Sequence, residues 1–348
     1  MSLKKAFNII LSICLFVASI MALWWFLPAR TPEIKTSNKQ AVSEIDYIEI
    51  GGINQCVLIR SENRTNPILL FLHGGPGMPM MYLAHEFQHP LEKNFTVVQW
   101  DRRGAGKTFA RNKPSKESMN VRQLLDDAYT LIDTLRNRYH QDKIILAGHS
   151  FGTYLGSIMV NERPELFSAY ISIGQVVDSD KARPLKEQFI RKKAAENGRD
   201  DIISALDDSS NLNLENWLFE FGGELKNSTS FIPLVWSGLQ APEYTLPEVL
   251  KVAEGSSFSS NNMNYNVLDR SIYYEIRKYQ IPVYFFVGTS DYTTPHELVE
   301  EYASLISAPK KKMIYFRHSA HFPFYEEPGK FSQEITKILA NPNHQDQY

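Results

Sequence analysis

The stretch KIILAGHSFGTYLG, residues 143–156, decides the fold: an apolar run empties into G-x-S-x-G at Gly148, Ser150 and Gly152. Ile144 to Ala147 show no polar alternation, as expected of a strand covered on both faces. A small-residue stretch of helical character follows. Between them a sharp strand-to-helix turn strains the backbone at its apex, and bulk two positions to either side would collide with the neighbouring strand or helix. Glycines at 148 and 152 relieve that crowding. Such a turn lifts Ser150 out of the core, where its oxygen can attack.

The same pattern recurs outward from this point. PILLFLH (67–73) ends in glycines, and FTVVQWD (95–101) ends in RRGAG. Further strands are expected at 168–173, 283–287 and 312–316, with helices at 121–139, 297–305 and 329–339. Residues 47–50 and 56–60, separated by Gly51-Gly52, read as a hairpin. Short unalternated strands divided by helices call for an α/β fold, a mostly parallel central sheet flanked by helices. Between 175 and 280 the pattern changes to polar helix formers, aromatics and Ser/Asn, without a series of buried strands. Trp217, Phe219, Phe221, Phe231, Trp236 and the Tyr273-Tyr274 pair need burial there, which points to an inserted, mainly helical lid. The core is then 44–174 and 281–340.

A serine needs a base, and the base needs an orienter. FFVGTSDYTTP (285–295) puts Asp291 just beyond a strand, and MIYFRHSAHFPFYEEP (313–328) puts His318 and His321 beyond the last one. His321 lies farther from the strand end, where a loop can swing it over the sheet, and follows small Ala320. Asp178 and Asp269 lack a strand before them. The oxyanion of an acyl transfer needs backbone N–H groups near the serine. Phe151 supplies one, and HGGPG (73–77) supplies another at Gly74 or Gly75. His73 organises that loop. DRRGAGKT (101–108) lacks phosphate-loop spacing, so Asp101 and the arginines are expected to pin the loop beneath the site. No metal or organic cofactor is needed. Epoxide or haloalkane opening would want a carboxylate where Ser150 stands.

HGGPG at 73–77, DRRGAG at 101–106, GHSFG at 148–152, GTSDYTTP at 288–295 and SAHFPFYEEP at 319–328 together resemble the α/β-hydrolase superfamily, specifically its proline iminopeptidase-like branch, over residues 44–340. The resemblance implies a serine hydrolase with Ser150, Asp291 and His321 as triad and Phe151 with Gly75 as oxyanion donors. It also implies lid carboxylates that bind a substrate's free amino terminus, nearest here Glu220 and Glu224. The chain departs from the family in Phe151, where members often have tryptophan, and in Arg102, where they commonly have glutamine. The expected reaction is acyl-bond cleavage through an acyl-enzyme, by an aminopeptidase on short peptides; a carboxylesterase or lipase on small or lipid-like esters is the alternative. A non-catalytic binding protein on the same fold is a third possibility, against which all three triad roles are filled.

With 43% apolar and 22% charged residues the chain can bury a substantial core. Net charge is −2, and the basic residues before position 40 leave the remainder more acidic, with no footprint for nucleic acid. Cys14 and Cys56 are not expected to pair. Ala6 to Leu27 carry no charge and would span roughly 33 Å as a helix. Behind Lys4-Lys5, that run predicts a single N-terminal transmembrane anchor (6–27) and a linker (28–43), with the membrane as partner and the catalytic domain extracytoplasmic. A signal peptide cleaved on secretion is the alternative.

Overall fold

The computed structural model describes residues 27–208, 213–265 and 271–339, with 5, 7, 8, 10–12, 15 and 19 nearer the N-terminus. Eight strands form one sheet: β1 (Val42–Ile50), β2 (Ile53–Ser61), β3 (Ile68–Leu72), β4 (Thr96–Asp101), β5 (Ile144–His149), β6 (Phe167–Ile173), β7 (Val283–Gly288) and β8 (Lys311–Phe316). Their spatial order is β1-β2-β4-β3-β5-β6-β7-β8. The hairpin β1–β2 and the β2–β4 pair are antiparallel, and every later pair is parallel. Gly51 and Gly52, at φ 56° and 78°, close the hairpin.

The continuous apolar runs are explained by burial on both faces. Leu70, Leu72, Ile144 and Leu146 point into one core with α2 (Val121–Tyr139) and α3 (Phe151–Glu162). Leu69, Phe71, Ile145 and Ala147 point into the other, against Phe87, Phe324 and Phe331. Before α2 stands the short α1 (Gly106–Arg111). Asn120 caps α2 by accepting from the Gln123 N–H at 2.9 Å.

Between β6 and β7 the chain forms α4 (Ser179–Glu196), α5 (Asp200–Asp208), α6 (Leu214–Glu220), α7 (Ile232–Gln240), α8 (Leu246–Asn262) and α9 (Ile272–Glu275). Ile190, Ala194, Ile202, Leu206 and Leu218 make a small core within this insertion. Burial of its aromatics is partial. Phe219 and Tyr273 are buried, but Phe231, Tyr274 and Trp236, the last 63% exposed, face outward. The insertion is tied to the sheet where Lys107 of α1 donates to Glu248 of α8 at 2.6 Å and to the Glu243 carbonyl at 2.9 Å.

The DRRGAG stretch locks the loops under the sheet's C-terminal edge. Arg103 donates to Asp127 through Nε at 2.7 Å and Nη2 at 3.1 Å, and to the Gly51 carbonyl at 2.9 Å, with both side chains buried. Removing one partner of such a pair leaves a buried charge alone. Arg103→Ala is therefore expected to cost about 3–5 kcal/mol of stability. Chemical denaturation against the parent protein checks it; a loss under about 1 kcal/mol, the value of a surface pair, would contradict the pairing.

The N-terminal expectation is corrected. Among the described residues no helix is long and apolar enough to cross a membrane, and most of 6–27 lies outside them. A charge-free run of bilayer length is a property of composition, whereas spanning requires one continuous apolar helix of that length. The transmembrane helix, the membrane as partner, and the extracytoplasmic or secreted location inferred from it are withdrawn. Cys56 is a buried free thiol, and Cys14 lies outside the described residues.

Candidate active site

Ser150 sits at the apex between β5 and α3 with φ 52° and ψ −124°, a conformation L-residues rarely adopt. Its N–H donates to the Ile173 carbonyl at 2.9 Å, and its carbonyl accepts from the Thr153 N–H at 2.7 Å and hydroxyl at 2.6 Å. These bonds hold the strained residue in place. A Cβ at Gly152 would strike the Leu72 carbonyl of β3, and one at Gly148 would lie 2.6 Å from the Gly152 carbonyl oxygen. The two glycines are thus required by close approach. Ser150 is part-exposed, whereas His149 and Phe151 on either side are buried.

His321 and Asp291 meet nearby. Asp291 follows β7, His321 follows β8, each is 2% exposed, and His321 Nδ1 lies 2.8 Å from Asp291 Oδ2. Thr294 donates to Asp291 Oδ1 through its N–H and to Oδ2 through its hydroxyl, both at 2.8 Å. Neither oxygen of the carboxylate is left idle. The His321 N–H donates to the Glu224 carbonyl at 3.0 Å, and its carbonyl accepts from His149 Nε2 at 2.9 Å. Burial opposes a charge on His321, but Asp291 and then Glu224 outweigh it and raise its pKa above the ordinary 6.5. Gly174, directly after the Ile173 that Ser150 bonds, lies against the His321 ring; a Cβ there would be 2.9 Å from Nδ1. Ser150 and His321 therefore flank the same point at the ends of β5 and β6. An imidazole held at Nδ1 by a carboxylate keeps Nε2 free to take a proton.

The loop 73–77 closes the other side. A Cβ on Gly74 would lie 3.0 Å from that of Ser150, and Gly75 has φ 102°, which only glycine adopts without strain. Phe151 opens α3, so its N–H has no partner within the helix. Arg102, fully buried, donates to the His73 and Gly74 carbonyls and from its N–H to His73 Nε2 at 3.2 Å. Burial lowers its pKa to about 9. The arginine that departs from the family's usual glutamine thus pins this loop.

The two lid carboxylates part company. Glu220 pairs with Arg199 on the surface of the insertion and does not join the site. Glu224 accepts from the Thr293 hydroxyl, two residues after Asp291, and its carboxyl is pushed up to about 7 by burial, with His321 and Lys186 pulling down and Asp291 pushing up. His318 is exposed, its N–H bonded to Glu327 at 2.9 Å. Asp178 caps α4, and Asp269 lies outside the described residues. Sequence reasoning missed His149, which holds the His321 backbone, and Glu326, which accepts from Ser319, Ala320 and Lys226 at 2.6–2.9 Å and ties the insertion to the His321 loop. His149 stands inside the GHSFG motif, where its position beside the serine was the available signal. Among the described residues no cluster of His, Cys, Asp and Glu could hold a metal ion.

The α/β-hydrolase fold family matches residues 67–328. The chain belongs to that family. Within it, the probable aminopeptidase YbaC of Bacillus subtilis is 28% identical over 310 residues, covering 86% of this chain and 97% of its own. The proline iminopeptidase of Heyndrickxia coagulans is 25% identical over 306 residues, 84% and 97% of the two chains. The crystal structure of a proline iminopeptidase from Mycobacterium smegmatis superposes with a TM-score of 0.63 at 16% identity, covering 85% of this chain and 98% of that one. This α/β-hydrolase is thus related to the proline iminopeptidase-like branch.

Proposed function

We propose that this α/β-hydrolase is a serine hydrolase that cleaves short peptides from a free amino terminus through an acyl-enzyme, as a proline iminopeptidase does. The observation that carries the reading is Glu224, a part-exposed insertion carboxylate that accepts from the Thr293 hydroxyl, two residues after Asp291, and whose carbonyl accepts from the His321 N–H at 3.0 Å. A carboxylate there can pair with a substrate ammonium while the adjoining carbonyl faces Ser150. Ser150 attacks, His321 takes its proton, and Asp291 fixes the imidazole tautomer. The N–H groups of Phe151 and of Gly75, or its neighbour Gly74, receive the oxyanion. Water then releases the acyl group by the reverse proton path. The aminopeptidase and proline iminopeptidase names of the sequence relatives support the same choice.

The test compares kcat/KM for free and N-acetylated alanyl and prolyl arylamides, alongside short and medium acyl esters, between about pH 5 and 9. A charged hydrogen bond to the amine predicts a preference for the free form of about 10-fold or more. Activity on the free amines should rise through neutrality, because His321 must lose a proton it holds above its ordinary pKa and Glu224 ionises at about 7. It should fall again as the substrate ammonium deprotonates near about pH 8. Negligible arylamide turnover with brisk ester cleavage would reject the peptidase reading in favour of the esterase.

A further inference from the structure

Arg102 is fully buried, yet among the described residues it forms no ion pair. Its guanidinium is met instead by the loop 73–77. Nη2 donates to the His73 carbonyl and, at 3.2 Å, to the Gly74 carbonyl, while Nε donates to His73 Nε2 at 3.2 Å. Nη1 is buried without a hydrogen-bond partner. Burial, and after it the charge of Arg102, hold the His73 pKa well below the ordinary 6.5, so the ring is neutral and the charge rests on the arginine.

The two carbonyls belong to the peptide units 73–74 and 74–75. A trans peptide points its N–H opposite to its C=O, so with both oxygens turned to Arg102 the N–H groups of Gly74 and Gly75 turn away from it. Successive N–H groups turned to one side form an anion-binding nest. Among the described residues neither N–H has a hydrogen-bond partner, and Gly74 abuts Ser150. The Phe151 ring stands over the guanidinium, with its centroid 5.6 Å from Cζ. Arg102 thus touches the residues of both proposed oxyanion donors.

We propose that Arg102 is a positioning residue of the oxyanion hole, which fixes the Gly74 and Gly75 donors by their carbonyls and lends its uncompensated charge to the oxyanion. The assignment deepens the serine-hydrolase reading above and rests on it. A substrate carbonyl is neutral, whereas the tetrahedral intermediate carries a negative charge, so a fixed cation one peptide unit away stabilises the second more than the first. The surroundings that make a lone buried guanidinium costly also let its field reach farther than in water. The effect is exerted through the peptide units rather than by contact with substrate.

The experiment prepares Arg102→Gln and Arg102→Lys and follows, by fluorine NMR against pH, the adduct of a short alkyl trifluoromethyl ketone. In that adduct Ser150 Oγ bonds to the ketone carbon, its proton passes to His321, and the ketone oxygen becomes the oxyanion. Glutamine can still donate to the loop but brings no charge. Its adduct should ionise at a pH higher than the parent's by about 1 or more. On an alanyl arylamide or a short ester, whichever the parent cleaves, kcat should fall about 10- to 100-fold with KM within about 3-fold. Arg102→Lys keeps the charge and should ionise its adduct as the parent does. An unchanged titration in folded Arg102→Gln would overturn the inference. If that variant does not fold, Arg102→Lys decides: a parental titration upholds the inference, and a titration moved up by about 1 or more overturns it. A parent protein that forms no adduct and resists fluorophosphonate would sink the serine reading and this inference with it, whereas a reactive parent with an indifferent Arg102→Gln sinks the inference alone.

Discussion

Ser150→Ala is expected to remove nearly all acyl-transfer activity, on the order of 10⁴-fold or more in kcat, while the protein remains folded. The strain at φ 52° comes from the backbone and Cβ, both of which alanine retains. Only the hydroxyl leaves, and the bonds that hold the turn run through the Ser150 backbone to Ile173 and Thr153. Melting temperature should therefore change little, whereas labelling by a fluorophosphonate should vanish along with turnover of both arylamides and esters. This expected result does not depend on substrate class, because either proposed chemistry would pass through the same acyl-enzyme. A correctly folded parent protein that resists the reagent under conditions that label a control hydrolase would contradict the serine mechanism. So would a variant retaining more than about 1% of parental turnover, since the oxyanion donors alone account for far less.

What could be read in advance follows the range of the forces involved. Strands β3, β5 and β7 announce themselves because burial on both faces leaves short, nearly unbroken apolar segments, and β4 is equally buried with Thr96, Gln99 and Asp101 among its apolar residues. The Ser150 turn is equally local: Gly148 is demanded by the backbone of Gly152, four residues on, and Gly152 by the adjacent strand at Leu72. Asp291 and His321 were legible from their place after strands, and they meet at 2.8 Å. Glu220 and Glu224 were not separable, because both stand in FEFGGEL and only the packing of the insertion sends one to Arg199 and the other to Thr293. The charge-free run near the N-terminus misled for the opposite reason, since composition was taken for architecture.

Asp291→Asn is expected to lower kcat by on the order of 10³–10⁴-fold with little change in the fold, and the hydrogen bonds around it say why. The Thr294 N–H must face an acceptor, so the asparagine oxygen takes the place of Oδ1. The amide nitrogen then stands where Oδ2 stood, 2.8 Å from His321 Nδ1. Two donors cannot face each other, so Nδ1 gives up its hydrogen and the proton moves to Nε2. That tautomer cannot accept a proton from Ser150. Loss of the carboxylate also removes the leading upward influence on the His321 pKa, so the acid limb of the residual pH profile should shift to lower pH. Glu224 also raises that pKa, but its nearer bonds are to Thr293 and, through its carbonyl, to the His321 N–H rather than to the ring. Steady-state kinetics and the fluorophosphonate labelling rate should fall together. Activity within about 10-fold of the parent would show that Asp291 does not orient the base, and the Asp291→Asn, Glu224→Gln double variant would then reveal whether the second carboxylate does.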